Sequence, residues 1–451
     1  MNLTAKTSFI LLMASSALAA GSKPPIARFP DGFRWCAATA AHQIEGGNSN
    51  SDWWDWEQIP GNIKNGDKSG RATDHWNRLE EDTQHLVDLG VTTYRFSVEW
   101  AKIETSDGVW DREAIAHYRH EVELLIARGI RPMVTLHHFT FPRWVRAQGA
   151  WEWSEIANRF ARFTRVVFTQ IAPEASEWIT VNEPMVHVMG GYYTGQVVPA
   201  EKRKLDAIAP VLHGLLAAHA AAYHELHALA AEKGVKIRVG MAHHLRTIDP
   251  LHFWNPLDHL VSGAADRIWN WALPEALETG TLTMQMIGTV DIHDTIEGLK
   301  GTQDFFGVNY YTGDLVAFSF SQGVTLHHRE NAKKTDLGWD IYPKGFRRVL
   351  AEVSSRFPGE GIFITENGIA DATDSQRPDY LVSHLRAVAR AIRDGAPIEG
   401  YCHWSWLDNF EWIEGFTPRF GLYEVDYRTF KRTPRASAAL FRQAAMTGRV
   451  P

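Results

Sequence analysis

"EWITVNEP", Glu177–Pro184, decides the fold: an apolar, β-branched run that stops abruptly at an amide and a carboxylate, Asn182 and Glu183. Such a run reads as a buried strand whose last residues leave the core. Seven further stretches have the same design. They are "FRWCAATAAH" from Phe33, "TTYRFSVEW" from Thr92, "RPMVTLHHF" from Arg131, "KIRVGMAHH" from Lys236, "DFFGVNYY" from Asp304, "GIFITENG" from Gly361 and "IEGYCHWSW" from Ile398. Helical patterns separate them, with apolar residues three and four apart at Asp74–Leu89, Arg112–Arg128, Ser154–Ile171, Pro343–Arg356 and Asp379–Arg393. The Ala-rich stretch from Leu215 to Ala231 carries His and Glu on several faces, and reads as a long helix stopped by Gly234 rather than a membrane span. Eight strands alternating with helices predict an α/β fold, a single parallel (β/α)8 TIM barrel. Parallel neighbours need long crossovers, and closure removes the sheet edges.

Each run ends in polar groups: His42, Gln43 and Glu45; Glu99; His137 and His138; Asn182 and Glu183; His243 and His244; Asn309; Glu366 and Asn367; and those after Ser405. In a barrel these C-terminal ends converge on one mouth, where active sites form. Glu183 and Glu366 would then face each other. Paired carboxyls can cleave a glycosidic bond, one protonating the leaving oxygen and the other attacking the anomeric carbon or activating water.

Composition narrows the partners. The 451 residues carry a formal charge of −7 and no Lys/Arg cluster, which argues against nucleic acid or an anionic membrane. Eighteen tryptophans, many beside Gly, Asn, Asp or Glu, suit a ligand with apolar faces and hydroxyl edges, although most indoles in any protein serve the core. The histidine doublets at 137–138, 243–244 and 327–328 point to opposite faces of a strand, so no metal site is expected. No Gly-rich phosphate loop or dinucleotide fingerprint follows a strand, so no organic cofactor is expected. Residues 1–19 read as a cleaved secretory signal peptide, an apolar segment from Ser8 to Met13 running into Ala17-Leu18-Ala19, which implies export to the periplasm or beyond. Residues 20–451 then form one barrel domain without membrane insertion. Cys36 and Cys402 lie inside strands and are expected as two small buried thiols rather than a bridge.

From "FPDGFRWCAATAAHQIEGG" through "YRFSVEW", "WITVNEP", "DFFGVNYY", "ITENG" and "WSWLDNFEW" to "RFGLYEVDY", the chain resembles glycoside hydrolase family 1, the β-glucosidase family. The resemblance implies a retaining double displacement on terminal β-glycosides. Glu183 is the general acid/base, Glu366 the nucleophile, and the two carboxyls stand about 5–5.5 Å apart. It also implies that Arg95 holds Glu366 ionised, that Tyr311 hydrogen-bonds it, and that Asn309 and Asn182 serve the reaction centre. Repulsion from ionised Glu366 would raise the pKa of Glu183. Gln43, His138 and Glu411 match sugar-binding positions, Trp404 the platform beneath the ring, Trp412 a further indole contact and Trp339 an aglycone-side indole. An ionised Glu411 would repel a 6-phospho-sugar.

Several positions depart from the family pattern. Phe139-Thr140 stands where Trp-Asp is usual, removing an indole donor to the sugar. Glu99 replaces a small polar residue, Cys36 a glycine and Trp406 a leucine-like residue. Two other readings stay open: a transglycosidase that passes the same glycosyl-enzyme to a sugar or alcohol, and a non-catalytic carbohydrate-binding protein, which the presence of both carboxylates disfavours.

Overall fold

A computed structural model of the protein describes residues 26–451. The leader assigned to residues 1–19 lies outside the described residues. Eight strands close into a parallel barrel: β1 (Arg34–Ala38), β2 (Thr93–Ser97), β3 (Arg131–His137), β4 (Glu177–Asn182), β5 (Arg238–His244), β6 (Phe305–Asn309), β7 (Gly361–Asn367) and β8 (Ile398–Trp404). They pair in chain order, and β8 returns to β1. All eight are the runs read from the sequence.

Around them lie α1 (Leu79–Asp88), α2 (Arg112–Ala127), α3 (Ile156–Val166), α4 (Ala209–Lys233), α5 (Ala272–Thr279), α6 (Pro343–Arg356), α7 (Arg377–Arg393) and α8 (Ala436–Thr447). Asp111 starts α2 by accepting from the amides of Glu113 and Ala114 at 2.8 and 3.0 Å. Gly234 ends α4 with φ +67°, a conformation that costs glycine little. The long predicted helices 74–89 and 154–171 each split, the first into a short 3-10 turn and α1, the second into α3 and a wider π turn, Val167–Ile171.

Strand alternation sorts the core into two. Trp35, Tyr94, Val134, Trp178, Val239 and Phe306 face outward and pack against the helices in the main cluster. Cys36, Met133, Ile179, Ala242, Phe305 and Phe363 belong to a second cluster that fills the barrel interior. Ion pairs close the barrel's N-terminal end. Arg34 binds Glu177 and, at 2.7 Å, Glu399, while Arg238 binds the same two carboxylates from 2.7 to 3.3 Å.

The cysteines correct the sequence reading. Cys36 and Cys402 are register partners where β1 meets β8, and their sulfurs form a disulfide. They are 366 residues apart in the chain, so only barrel closure, invisible to local spacing, brings them together.

The sequence reading also passed over short strand pairings outside the barrel, antiparallel except for Gly313–Ser319 with Thr247–Pro250, which is parallel. Ala27–Arg28 pairs with Arg449–Val450, Thr281–Met286 with Val290–Thr295, and Gly313–Ser319 lies between Thr247–Pro250 and Gly323–His327. Among the described residues no helix is long and apolar enough to cross a membrane.

Candidate active site

Local irregularities aim the site residues. Parallel pairing shifts register between Ile179 and Asn182 on β4, and between Ile364 and Asn367 on β7. Such breaks redirect side chains at strand ends. Glu183 follows at φ +44°, ψ +56°, a left-handed residue between β4 and a short helix begun by Pro184. A carboxylate-bearing residue in that region is costly, so the surrounding structure must hold it there.

Glu366 is gripped by both oxygens. Arg95 Nη1 donates to Oε1 and the Tyr311 hydroxyl to Oε2, each at 2.6 Å. Arg95 is itself fixed, donating to the Thr365 carbonyl at 3.0 Å, Asn182 Oδ1 at 2.6 Å and Thr135 Oγ1 at 3.2 Å. Asn309 Nδ2 donates to Glu183 Oε1 at 2.9 Å and to Asn182 Oδ1 at 3.1 Å, while its own oxygen accepts from Thr365 at 2.6 Å. One continuous network therefore joins the two carboxyls through β2, β4, β6 and β7.

The electrostatics follow from three buried carboxyls, two of which, Glu183 and Glu366, share the Arg95 guanidinium. Burial pushes Glu183 up to about 8, with repulsion from Glu366 adding to it. Burial is the larger cause, where the sequence argument named repulsion alone. Glu366 is also pushed up by burial, opposed by Arg95, Tyr311 and Asn309. Of the pair, Glu366 is therefore the one held as the anion and Glu183 the one kept protonated. Glu411 is raised to about 8 by burial and by Glu366.

The remaining predicted residues gather on the same side. Gln43 Nε2 donates to Asn409 Oδ1, the Phe410 carbonyl and Glu411 Oε2 at 2.9, 2.8 and 3.3 Å. Asn182 Nδ2 donates to His138 Nε2 at 3.0 Å. Gln43 Oε1 and His138 Nδ1 are buried without a protein partner, so both can meet a ligand's hydroxyls. The His138 ring lies parallel to Trp404 and to Trp412, at 5.9 and 6.1 Å between centroids. Trp339 packs edge-on against Tyr311 at 5.6 Å, on the nucleophile's side. The doublet at 137–138 splits as strand geometry requires. His137 packs on Phe141 and Trp151 behind β3 while His138 faces the mouth. Among the described residues no group of three His, Cys, Asp or Glu is placed to hold a metal.

Sequence reasoning missed the supports Thr135, Thr365, Asn409 and Trp269, whose Nε1 donates to the carbonyl of His244, a residue already read as a polar strand end, at 3.1 Å; the His244 ring lies parallel to Tyr311. Thr365 adjoins the nucleophile position and could have been found; Trp269 lies in no motif.

A closed barrel whose mouth holds an arginine-bound carboxylate opposite a second carboxyl raised by burial is the site of a glycoside hydrolase. The chain belongs to glycosyl hydrolase family 1, whose profile matches residues 26–449, and it is an O-glycoside hydrolase. It is 34% identical over 441 residues to a 1,4-beta-D-glucan glucohydrolase of Thermotoga neapolitana, covering 90% of this chain and 99% of that one. Beta-glucosidase A of Thermotoga maritima is also 34% identical, over 91% and 96% of the two chains. Among solved structures, a beta-glycosidase from Pyrococcus horikoshii superposes with a TM-score of 0.86 at 36% identity, covering 95% of this chain and 97% of that one. The family 1 b-glucosidase from Thermotoga maritima gives 0.87 at 31%, over 95% and 100%.

Proposed function

We propose that the protein is an exported β-glucosidase acting on terminal β-D-glucosides, with Glu366 as nucleophile and Glu183 as acid/base. The carrying observation is the asymmetric grip on the two carboxyls: Arg95 and Tyr311 bind Glu366, whereas Glu183 receives only the Asn309 amide. In the first step Glu366 forms a bond to the anomeric carbon as the glycosidic bond breaks, and Glu183 gives its proton to the leaving oxygen. Esterified Glu366 carries no charge, which lowers the proton affinity of Glu183. Glu183 then takes a proton from water as the water oxygen bonds to the anomeric carbon and Glu366 leaves as carboxylate.

Gln43, His138, Asn182, Trp404, Glu411 and Trp412 form the glycone side, and Trp339 the aglycone side. Glucose is favoured by the names of the curated relatives. Phe139, which lacks an indole donor, makes a galactoside or 6-deoxy-sugar panel part of the test. Export is supported by the leader-like first 19 residues and by the Cys36–Cys402 bridge, a bond that persists in oxidising compartments. N-terminal sequencing of the mature protein checks this.

The deciding experiment is hydrolysis of p-nitrophenyl β-D-glucoside beside other β-glycosides, with Glu366→Ala in parallel. Wild-type activity, loss in the variant and rescue by azide as the α-glycosyl azide support the assignment. Azide rescue as the β-azide, or an active Glu366→Ala, overturns it.

A further inference from the structure

Two departures from the family pattern, 41 residues apart in sequence, meet in space. The Thr140 hydroxyl donates to the Glu99 carboxylate, 2.9 Å from Oε2 and 3.0 Å from Oε1. Glu99 is 2% exposed and Thr140 5%. The family pattern places a small polar residue at 99 and an aspartate at 140; here the carboxylate comes from the segment just past β2 and the hydroxyl from the loop after β3. Carboxylate and hydroxyl thus stand at the opposite positions from those the family pattern gives them.

That contact restrains a strained turn. Phe139, between the sugar-facing His138 and Thr140, has φ +71°, a region unfavourable for a residue with a bulky side chain. It has to be held from both sides. On one side His138 is tied to Asn182 at 3.0 Å. On the other are Thr140 on Glu99 and the Phe141 amide on Asp52 Oδ1 at 2.9 Å. Glu99 is anchored in turn. Its Oε1 accepts from the Ala101 amide at 3.3 Å, and its own amide donates to the Tyr118 hydroxyl at 2.9 Å. The turn sets the Phe139 ring edge-on to Trp412, 5.2 Å between centroids, and with it that wall of the glycone pocket.

We propose that Glu99 is a positioning residue for glycone binding, holding the His138–Phe139 turn through Thr140 in place of the aspartate usual at 140. The proposal rests on reading this mouth as the glycone site, and it is specific to this chain. Glu99 touches no reacting atom, so it acts on how well the sugar is seated.

The test is a cycle of Glu99→Ser, Thr140→Asp and the double variant that restores the family's pair, with Glu99→Gln as the conservative control. Glu99→Ser is expected to raise KM for p-nitrophenyl β-D-glucoside about tenfold, the loss of one buried hydrogen bond, with a smaller change in kcat. Thr140→Asp opposes two carboxyls and raises KM at least as much. The double variant is expected to return KM to within about threefold of wild type, and Glu99→Gln to stay close to wild type, because its amide oxygen still accepts. A double variant no better than the sum of the singles overturns the proposal, as does an unchanged KM with only a lowered melting temperature.

Hydrogen exchange of the 136–142 peptide in wild type and Glu99→Ser gives a reading that needs no turnover. Faster exchange in the variant supports the turn-holding role, and identical exchange refutes it. A wild type inert on every β-glycoside would instead sink the functional assignment, while the exchange experiment still decides the role of Glu99.

Discussion

The hydroxyl of Tyr311, on the segment just past β6, donates to Glu366 Oε2 at 2.6 Å, the face of the carboxylate that Arg95 leaves uncovered. Burial raises the Glu366 carboxyl and this bond lowers it, so Tyr311 keeps the nucleophile ionised in acid. Tyr311→Phe is expected to lower kcat/KM about 10- to 100-fold, the usual worth of a hydrogen bond to a charged group. The acidic limb of the pH profile should move to higher pH, because the remaining carboxylate is less stabilised. An unshifted limb would show that Arg95 alone sets the charge.

Stability should decline on the alkaline side of neutrality. Burial raises Glu183 and Glu411 to about 8 and Glu99 and Asp52 to about 7. Burial lowers His75, but hydrogen bonds to Asp82 and Glu121 outweigh it and raise His75 to about 10. The carboxyls lose their contribution as pH rises from about 4 to these raised values and His75 from about 6.5 to about 10, so above neutrality the fall is carried by Glu183, Glu411 and His75. Buried neutral histidines act oppositely: burial drops His187, His243 and His384 to about 3 and His219 to about 4. The unfolded chain binds their protons below the ordinary histidine value, so their contribution grows as pH rises and is complete just above about pH 6.5. The melting temperature should therefore peak near about pH 6–7 and fall toward pH 9. Glu411→Gln should flatten the alkaline fall, and a steady rise in melting temperature to pH 9 would contradict the burial argument.

The barrel was legible because each strand is buried on both faces, and so reads as an unbroken apolar run, and because each stops at polar groups bound for the mouth. Glu183 and Glu366 stood out for the same reason. What stayed hidden depends on long-range closure. Cys36 and Cys402 become neighbours only when β8 meets β1, and Thr140 meets Glu99 only through the turn after β3. The extra hairpins are short and mixed in polarity; "TLTMQM" and "VDIHDT" carry no continuous apolar run. Tryptophan composition pointed two ways, and the structure divides the indoles. Trp53, Trp100, Trp151, Trp178, Trp271 and Trp406 are core, whereas Trp339, Trp404 and Trp412 gather at the mouth.

The Cys36–Cys402 bridge joins the two ends of the barrel chain across a separation of 366 residues. A crosslink that long restricts the unfolded ensemble strongly, and its removal should cost about 2–5 kcal/mol. Cys36→Ala/Cys402→Ala is expected to melt several degrees lower while keeping most activity. Thiol titration in denaturant should find no free thiol until reductant is added; two free thiols beforehand would restore the sequence reading.

The ion-pair ring at the barrel's N-terminal end offers a stability test apart from the chemistry. Burial pushes Glu177 up, but Arg34, Ser176 and Arg238 outweigh it and hold it ionised below the ordinary value. Arg34 and Glu177 side chains are only 9% and 8% exposed, so this pair is screened far less than a surface one. Arg34→Met removes one partner and leaves Glu177 with the more exposed Arg238, which should cost about 3 kcal/mol. Adding Glu177→Gln removes the stranded charge and should recover part of that loss, since a neutral pair of similar volume replaces a broken ionic one. Arg34 also binds Glu399, which keeps its contact with Arg238 in either variant. Both variants should retain kcat, because Glu183 and Glu366 lie at the opposite end of the strands. Denaturant melts of the two variants decide it. A double variant less stable than Arg34→Met alone would mean that Glu177 is held by Arg238 and Ser176 without needing Arg34.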